Sequence, residues 1–139
     1  RLAVARATFS FVWRPEYSVG VPSLDTAHKG LFDGLRRLTA LAASALPPQA
    51  IEEALAGLRK LVIEHYADEE SQMDAASYPG LSEHLRIHGE IIGEIDLVLA
   101  RLHRGEVSLE ILLDVAKERL IDHSLLVDRD YIPWLSRKG

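Results

Sequence analysis

The chain has 139 residues, 47% of them hydrophobic and 27% charged, the balance of one globular domain with a sizeable core. A net charge of −5 argues against binding nucleic acid through charge alone, and no stretch approaches the roughly 18 uninterrupted apolar residues of a membrane span. Cysteine is absent, which excludes disulfides, thiolate metal sites and cysteine-ligated iron–sulfur clusters and suits a reducing compartment, so the cytoplasm is the expected location.

The chain starts at Arg1 rather than Met, which keeps open that it is a piece of something longer. "RLAVARATFSF" is too short and too interrupted by arginine to read as a signal peptide. An arm, residues 1–22, carries Trp13, Pro15 and Tyr17; its aromatics are expected to lie over apolar surface of the helices downstream. Four segments then show the 3.6-residue period, and none shows a sustained period of two. The first runs from about Ser23 to Ala45, with Leu24, His28, Leu31, Leu35, Leu38 and Ala42 on one face, and Pro47–Pro48 stops it. The second, from about Gln49 to Ala76, steps through Ile51, Leu55, Leu58 and Val62 and then into His65 and Glu69. "SYPGL" breaks the chain before the third, which turns Leu81, His84, His88, Ile91, Ile95, Val98 and Leu102 inward and ends at Gly105 as a left-handed cap. Ser108 caps the fourth, with Leu109, Leu112, Ala116, Leu120 and His123 on its inner face. A tail, "RDYIPWL", is expected to pack back through Tyr131, Ile132 and Trp134. Short connections make consecutive helices antiparallel neighbours. The predicted fold is an all-α, up-and-down antiparallel four-helix bundle in one domain: arm 1–22, bundle 23–128, tail 129–139.

Five of the six histidines, His28, His65, His84, His88 and His123, fall on these inward faces with Glu69. One buried histidine is ordinary if both ring nitrogens find partners. Five of them strain that reading, because each unpaired buried polar group costs about 1–3 kcal/mol, and a shared cation would satisfy them together. His65 and Glu69 are four residues apart, as are His84 and His88, so each pair projects from one helix face. In an up-down bundle all six lie near the same end. That is many ligands for one ion, and two ions sharing a bridging carboxylate account for them better. Asp128 lies five residues beyond His123, about 140° further round a regular helix. Taken alone it reads as an exposed carboxylate; a π-type widening would bring it round.

"LDTAHKGLF", "HYADE", "HLRIH" and "HSLLVD", with "FVWRPEYSVGV" ahead of them, resemble in order and spacing the hemerythrin-like domains, the bacterial hemerythrins in particular, from about Trp13 to Tyr131. The resemblance implies two iron ions. His84, His88 and His123 would hold one, His28 and His65 the other, and Glu69 and Asp128 would bridge them together with an oxo or hydroxo group. It also implies that dioxygen binds reversibly at the second iron. Leu31, Phe32, Tyr66 and Leu120 are the candidates for an apolar oxygen pocket, although each fits plain core equally well; Tyr66 departs from the phenylalanine common in the family. His103 matches no ligand motif, and a basic residue in the last turn of a helix suits the dipole. The run "ADEES", apart from Glu69, reads as solvated surface.

Three functions are compatible with such a centre. The leading one is reversible dioxygen binding for storage, delivery or sensing, the last with a fused or associated signalling domain. The second is a di-iron enzyme with oxidase, peroxidase or nitric-oxide chemistry, disfavoured because no acid, base or substrate-binding residue stands outside the ligand set. The third is metal handling, with iron or zinc merely bound.

Overall fold

Prolines mark where the first two long helices begin. In the computed structural model, which describes residues 11–43, 48–123 and 130–138, α1 spans Pro22–Ala42 and α2 spans Pro48–Ala75. Each starts one residue earlier than its period suggests, because the first turn of a helix has no use for the amide proton that proline lacks. The expected last turn of the first helix, up to Ala45, lies beyond Ala43 outside the described residues. Asp25, in the first turn of α1, accepts hydrogen bonds from the Val19 amide at 2.8 Å and the Ser18 hydroxyl at 2.5 Å, which ties the arm to the positive end of the helix.

Both middle helices close in the same way. At the end of α2 the Tyr78 amide bonds to Met73 O and the Ser77 amide to Asp74 O, with Ser77 left-handed at φ 56°. α3, Leu81–His103, repeats the pattern: Glu106 N bonds to Arg101 O, Gly105 N to Leu102 O, and Gly105 sits at φ 74°. These are paired 6→1 and 5→2 caps, and the predicted glycine cap is in place. α4, Leu109–Ala116, opens under Ser108, whose hydroxyl accepts from the Ile111 amide at 3.3 Å. It does not continue as a regular helix. Residues Lys117–Ile121 form a π-helical turn, and its extra residue lets the neighbours Leu120 and Ile121 both be buried.

α1 packs on α2 and α4, and α3 packs on the same two helices, so the four close a ring around one core. Leu31, Leu35, Leu38, Leu55, Val62 and Ile91 lie in it. The aromatics of the arm cover the bundle as expected: Trp13 and Tyr17 stand 5.4 and 5.3 Å from the Phe32 ring. The tail also packs back, through a short helix α5, Ile132–Lys138. Tyr131 joins Leu24 and Met73 in a second cluster at the end of the bundle, and Tyr78 bridges its ring to that of Trp134.

Replacing Leu38, which has no exposed surface, by alanine should cost about 2–5 kcal/mol in urea unfolding. Ser108→Ala, which removes a cap on a half-wet helix end, should cost only about 1 kcal/mol.

Candidate metal centre

His28 lies in the second turn of α1, His65 and Glu69 lie in the second half of α2, and His84 and His88 open α3. His123 follows the π-helical turn. All six are buried, none more than 4% exposed. Their ligand-capable atoms fall into two groups, Glu69 with His84, His88 and His123, and Glu69 with His28 and His65, the atoms of each group lying within 4.8 Å of one another.

Glu69 belongs to both groups because its two oxygens face different ways. Oε2 lies 3.3 Å from His65 Nε2 and 3.8 Å from His28 Nε2, while Oε1 lies 3.3 Å from His88 Nε2. His88 Nε2 is in turn 3.1 Å from His123 Nε2. Two Nε2 atoms at that distance can share at most one proton in neutral rings, and a cation is the partner that both lone pairs can use. His65 makes the same point: neither of its buried ring nitrogens has a hydrogen-bond acceptor or donor among the described residues, apart from the carboxylate of Glu69 beside Nε2. Imidazole and carboxylate donors, desolvated and converging, fit divalent transition-metal ions.

Three further side chains hold this set in place. Glu70 Oε2 lies 2.8 Å from His88 Nδ1, so the ring donates its Nδ1 proton outward and turns an Nε2 lone pair inward, the usual outer-shell arrangement of a metal-binding histidine. Tyr131 donates its hydroxyl proton to Glu69 Oε2 at 2.8 Å. The Tyr66 ring stacks on His88, centroids 3.7 Å apart and planes within 1°.

The reading of "ADEES" as solvated beyond Glu69 is corrected by Glu70, whose side chain is only 28% exposed. One residue past Glu69 is 100° round the helix, and that rotation carries Glu70 to the flank of α3 where the back of His88 emerges. The expectation that a metal-bound imidazole needs an acceptor behind it could have found this pair from sequence. No sequence signal marked Tyr131 as a partner of Glu69, beyond the rule that a buried tyrosine hydroxyl seeks one.

Asp128 lies outside the described residues, as do its neighbours 124–129. The widened turn that was expected near it occurs just upstream of His123. Of the pocket candidates, Leu31, Phe32, Tyr66 and Leu120 are all buried. Phe32 packs under the arm's aromatics and Tyr66 against His88. His103 is well exposed and pairs with Glu52 at 2.9 Å, away from the cluster.

A family model described as the hemerythrin HHE cation binding domain matches residues 19–135. The chain is 31% identical over 121 residues to the myohemerythrin of Riftia pachyptila, covering 87% of this chain and 90% of that protein. It is 25% identical over 120 residues to the bacteriohemerythrin of Stenotrophomonas maltophilia, covering 86% and 78%. A crystal structure of wild-type hemerythrin superposes with a TM-score of 0.80 at 27% identity, covering 90% of this chain and 97% of the other. The chain therefore belongs to the hemerythrin family of cation-binding four-helix bundles.

Proposed function

We propose that this protein binds dioxygen reversibly at a pair of iron ions, acting as an oxygen-binding protein and not as an enzyme. His84, His88 and His123 would hold one ion, His28 and His65 the other, and Glu69 would be shared between them, with Asp128 as the second shared carboxylate. The observation that carries this reading is the carboxylate of Glu69, which offers one oxygen to each imidazole group. The chemistry that a ferrous pair would supply there is a two-electron exchange with dioxygen, reversed on release.

The protein's part is to make that exchange reversible. Five neutral imidazoles and few carboxylates place little negative charge around the ions, which favours keeping them reduced. Glu70 fixes the His88 tautomer and orientation. Tyr131 holds one oxygen of Glu69 by a hydrogen bond and draws charge from it. Leu31 and Leu120, both buried beside the cluster, would keep out the water and protons that turn reversible binding into oxidation. Residues 1–139 are read as one such domain, arm 1–22, bundle 23–128 and tail 129–139, working in the cytoplasm in storage, delivery or sensing, alone or beside a signalling domain. Among the described residues no helix is long and apolar enough to cross a membrane.

Anaerobic loading with ferrous iron, exposure to dioxygen and purging with argon should give a visible charge-transfer band that appears and disappears over repeated cycles. A one-way change to the diferric spectrum, or no band with zinc as the bound metal, overturns the reading. Glu69→Ala should lower bound iron from two per chain to one or fewer by elemental analysis. Glu70→Gln and Tyr131→Phe should keep the helical circular dichroism while weakening metal retention against a chelator by about 10–100-fold.

A further inference from the structure

Three aromatic rings run in series from the cluster to the surface of the tail. Tyr131, with no exposed surface, donates to Glu69 Oε2 at 2.8 Å and stands edge-on to His84, centroids 5.5 Å apart. Tyr78 lies 6.2 Å from Tyr131, and Trp134 lies 5.9 Å from Tyr78. Both outer rings are half-buried, so the series begins against two of the six clustered side chains and ends in contact with water. The turn between α2 and α3 fixes the middle ring, which lies so close over Gly80 that a Cβ there would stand 2.6 Å from it.

Packing alone does not select these residues. Phenylalanine would bury comparable apolar area at positions 78 and 134, yet the chain's three phenylalanines, Phe9, Phe11 and Phe32, all precede α2. What the three rings share is that phenol and indole give up a single electron more readily than other side chains without sulfur. Cysteine, which could take oxidation in their place, is absent. The arm supplies the contrast. Trp13 is also half-buried, but it faces the bundle through Phe32, 5.4 Å away, whose ring resists one-electron oxidation.

We propose that Tyr131, Tyr78 and Trp134 form a one-electron relay that carries stray oxidising equivalents from the metal centre to the surface and so protects the histidines of the cluster. It rests on the iron centre proposed above, not on the reversibility of oxygen binding. Hydrogen peroxide that gains one electron splits into hydroxide and a hydroxyl radical. Tyr131 gives one electron to that radical, which becomes hydroxide, and passes its phenolic proton to Glu69 Oε2. Tyr78 then returns an electron to Tyr131, whose proton moves back, and Tyr78 releases its own proton to water, where it neutralises the hydroxide. Trp134 repeats the exchange with Tyr78, which recovers a proton from water as the indole loses one. A soluble thiol restores Trp134 with a hydrogen atom, and two thiyl radicals pair as a disulfide. Two hydroxyl radicals and two thiols thus become two waters and one disulfide.

Peptide mass spectrometry of the iron-loaded protein, treated with hydrogen peroxide and no thiol, tests the relay. Oxygenated products should accumulate on Trp134 at least fivefold over Trp13. Tyr78→Phe, which keeps a ring in place but interrupts the series, should lower Trp134 oxidation at least fivefold and raise oxidation of the cluster histidines at least twofold. Trp134→Phe, at a half-exposed position, should raise histidine oxidation likewise if the change at 78 impairs folding. Equal oxidation of the two tryptophans, or histidine oxidation within its parent range in both variants, overturns the proposal. Pulse radiolysis tests the rings whatever metal is bound. Dibromide radical anions take one electron from tryptophan and become bromide ions. In Trp13→Phe protein, where Trp134 is the only tryptophan, the tryptophanyl radical should decay into a tyrosyl radical at a rate independent of protein concentration, and at least tenfold more slowly once Tyr78→Phe is added. A rate that ignores Tyr78→Phe, or that scales with protein concentration, overturns the relay. Protein that takes up no iron defeats the functional reading, and the radiolysis alone then decides whether the rings conduct.

Discussion

The structure depends on one buried carboxylate. Glu69 sits among five imidazoles with no exposed surface, its oxygens turned to opposite groups and one of them also held by Tyr131. A charge removed from water is tolerated only where opposite charge or directed donors surround it. All four bundle helices and the tail contribute to that surrounding. The packing of the end of the bundle, the tail cluster around Tyr131 and the supporting place of Glu70 all derive from it.

The helices serve this constraint in different ways. α2 and α3 each present two donors one turn apart, which needs only regular helical geometry. α4 has to carry its apolar face and His123 to the same level, and it does so through a π-helical turn. Such turns rearrange the register of side chains without breaking the helix. The arm and tail close the remaining surface, with Trp13 and Tyr17 over Phe32 and Tyr131 beneath the cluster. About one helical turn from this buried end, a cleft lined by Val62, Ile95 and Leu112 remains between α2 and α3.

Much of this was legible in the residues. The periods of Leu24–Leu38 and Ile51–Val62, the break at "SYPGL" and the caps at Gly105 and Ser108 marked four helices within a few residues. Their short connections left few ways to arrange them. His65/Glu69 and His84/His88 declared a shared face through spacing alone. Their helices were brought together by apolar stripes of ordinary 3.6-residue period. Less legible were contacts that depend on rotation about an axis or on residues remote in the chain. Glu70 looked like solvent-facing charge because its neighbours are charged. Only its 100° offset from Glu69, set against the back of His88, gives it a partner.

The sequence by itself determined that there would be four amphipathic helices and that histidines and a carboxylate would lie where each helix turns inward, because periodicity is a local property of the chain. Only the tertiary structure decided which oxygen of Glu69 faces which imidazoles, that Tyr131 reaches it across 62 positions of sequence, and that a cleft remains between α2 and α3. Those outcomes depend on distances between helices and on the fit of side chains from separate elements, and no periodicity along one stretch of sequence encodes either.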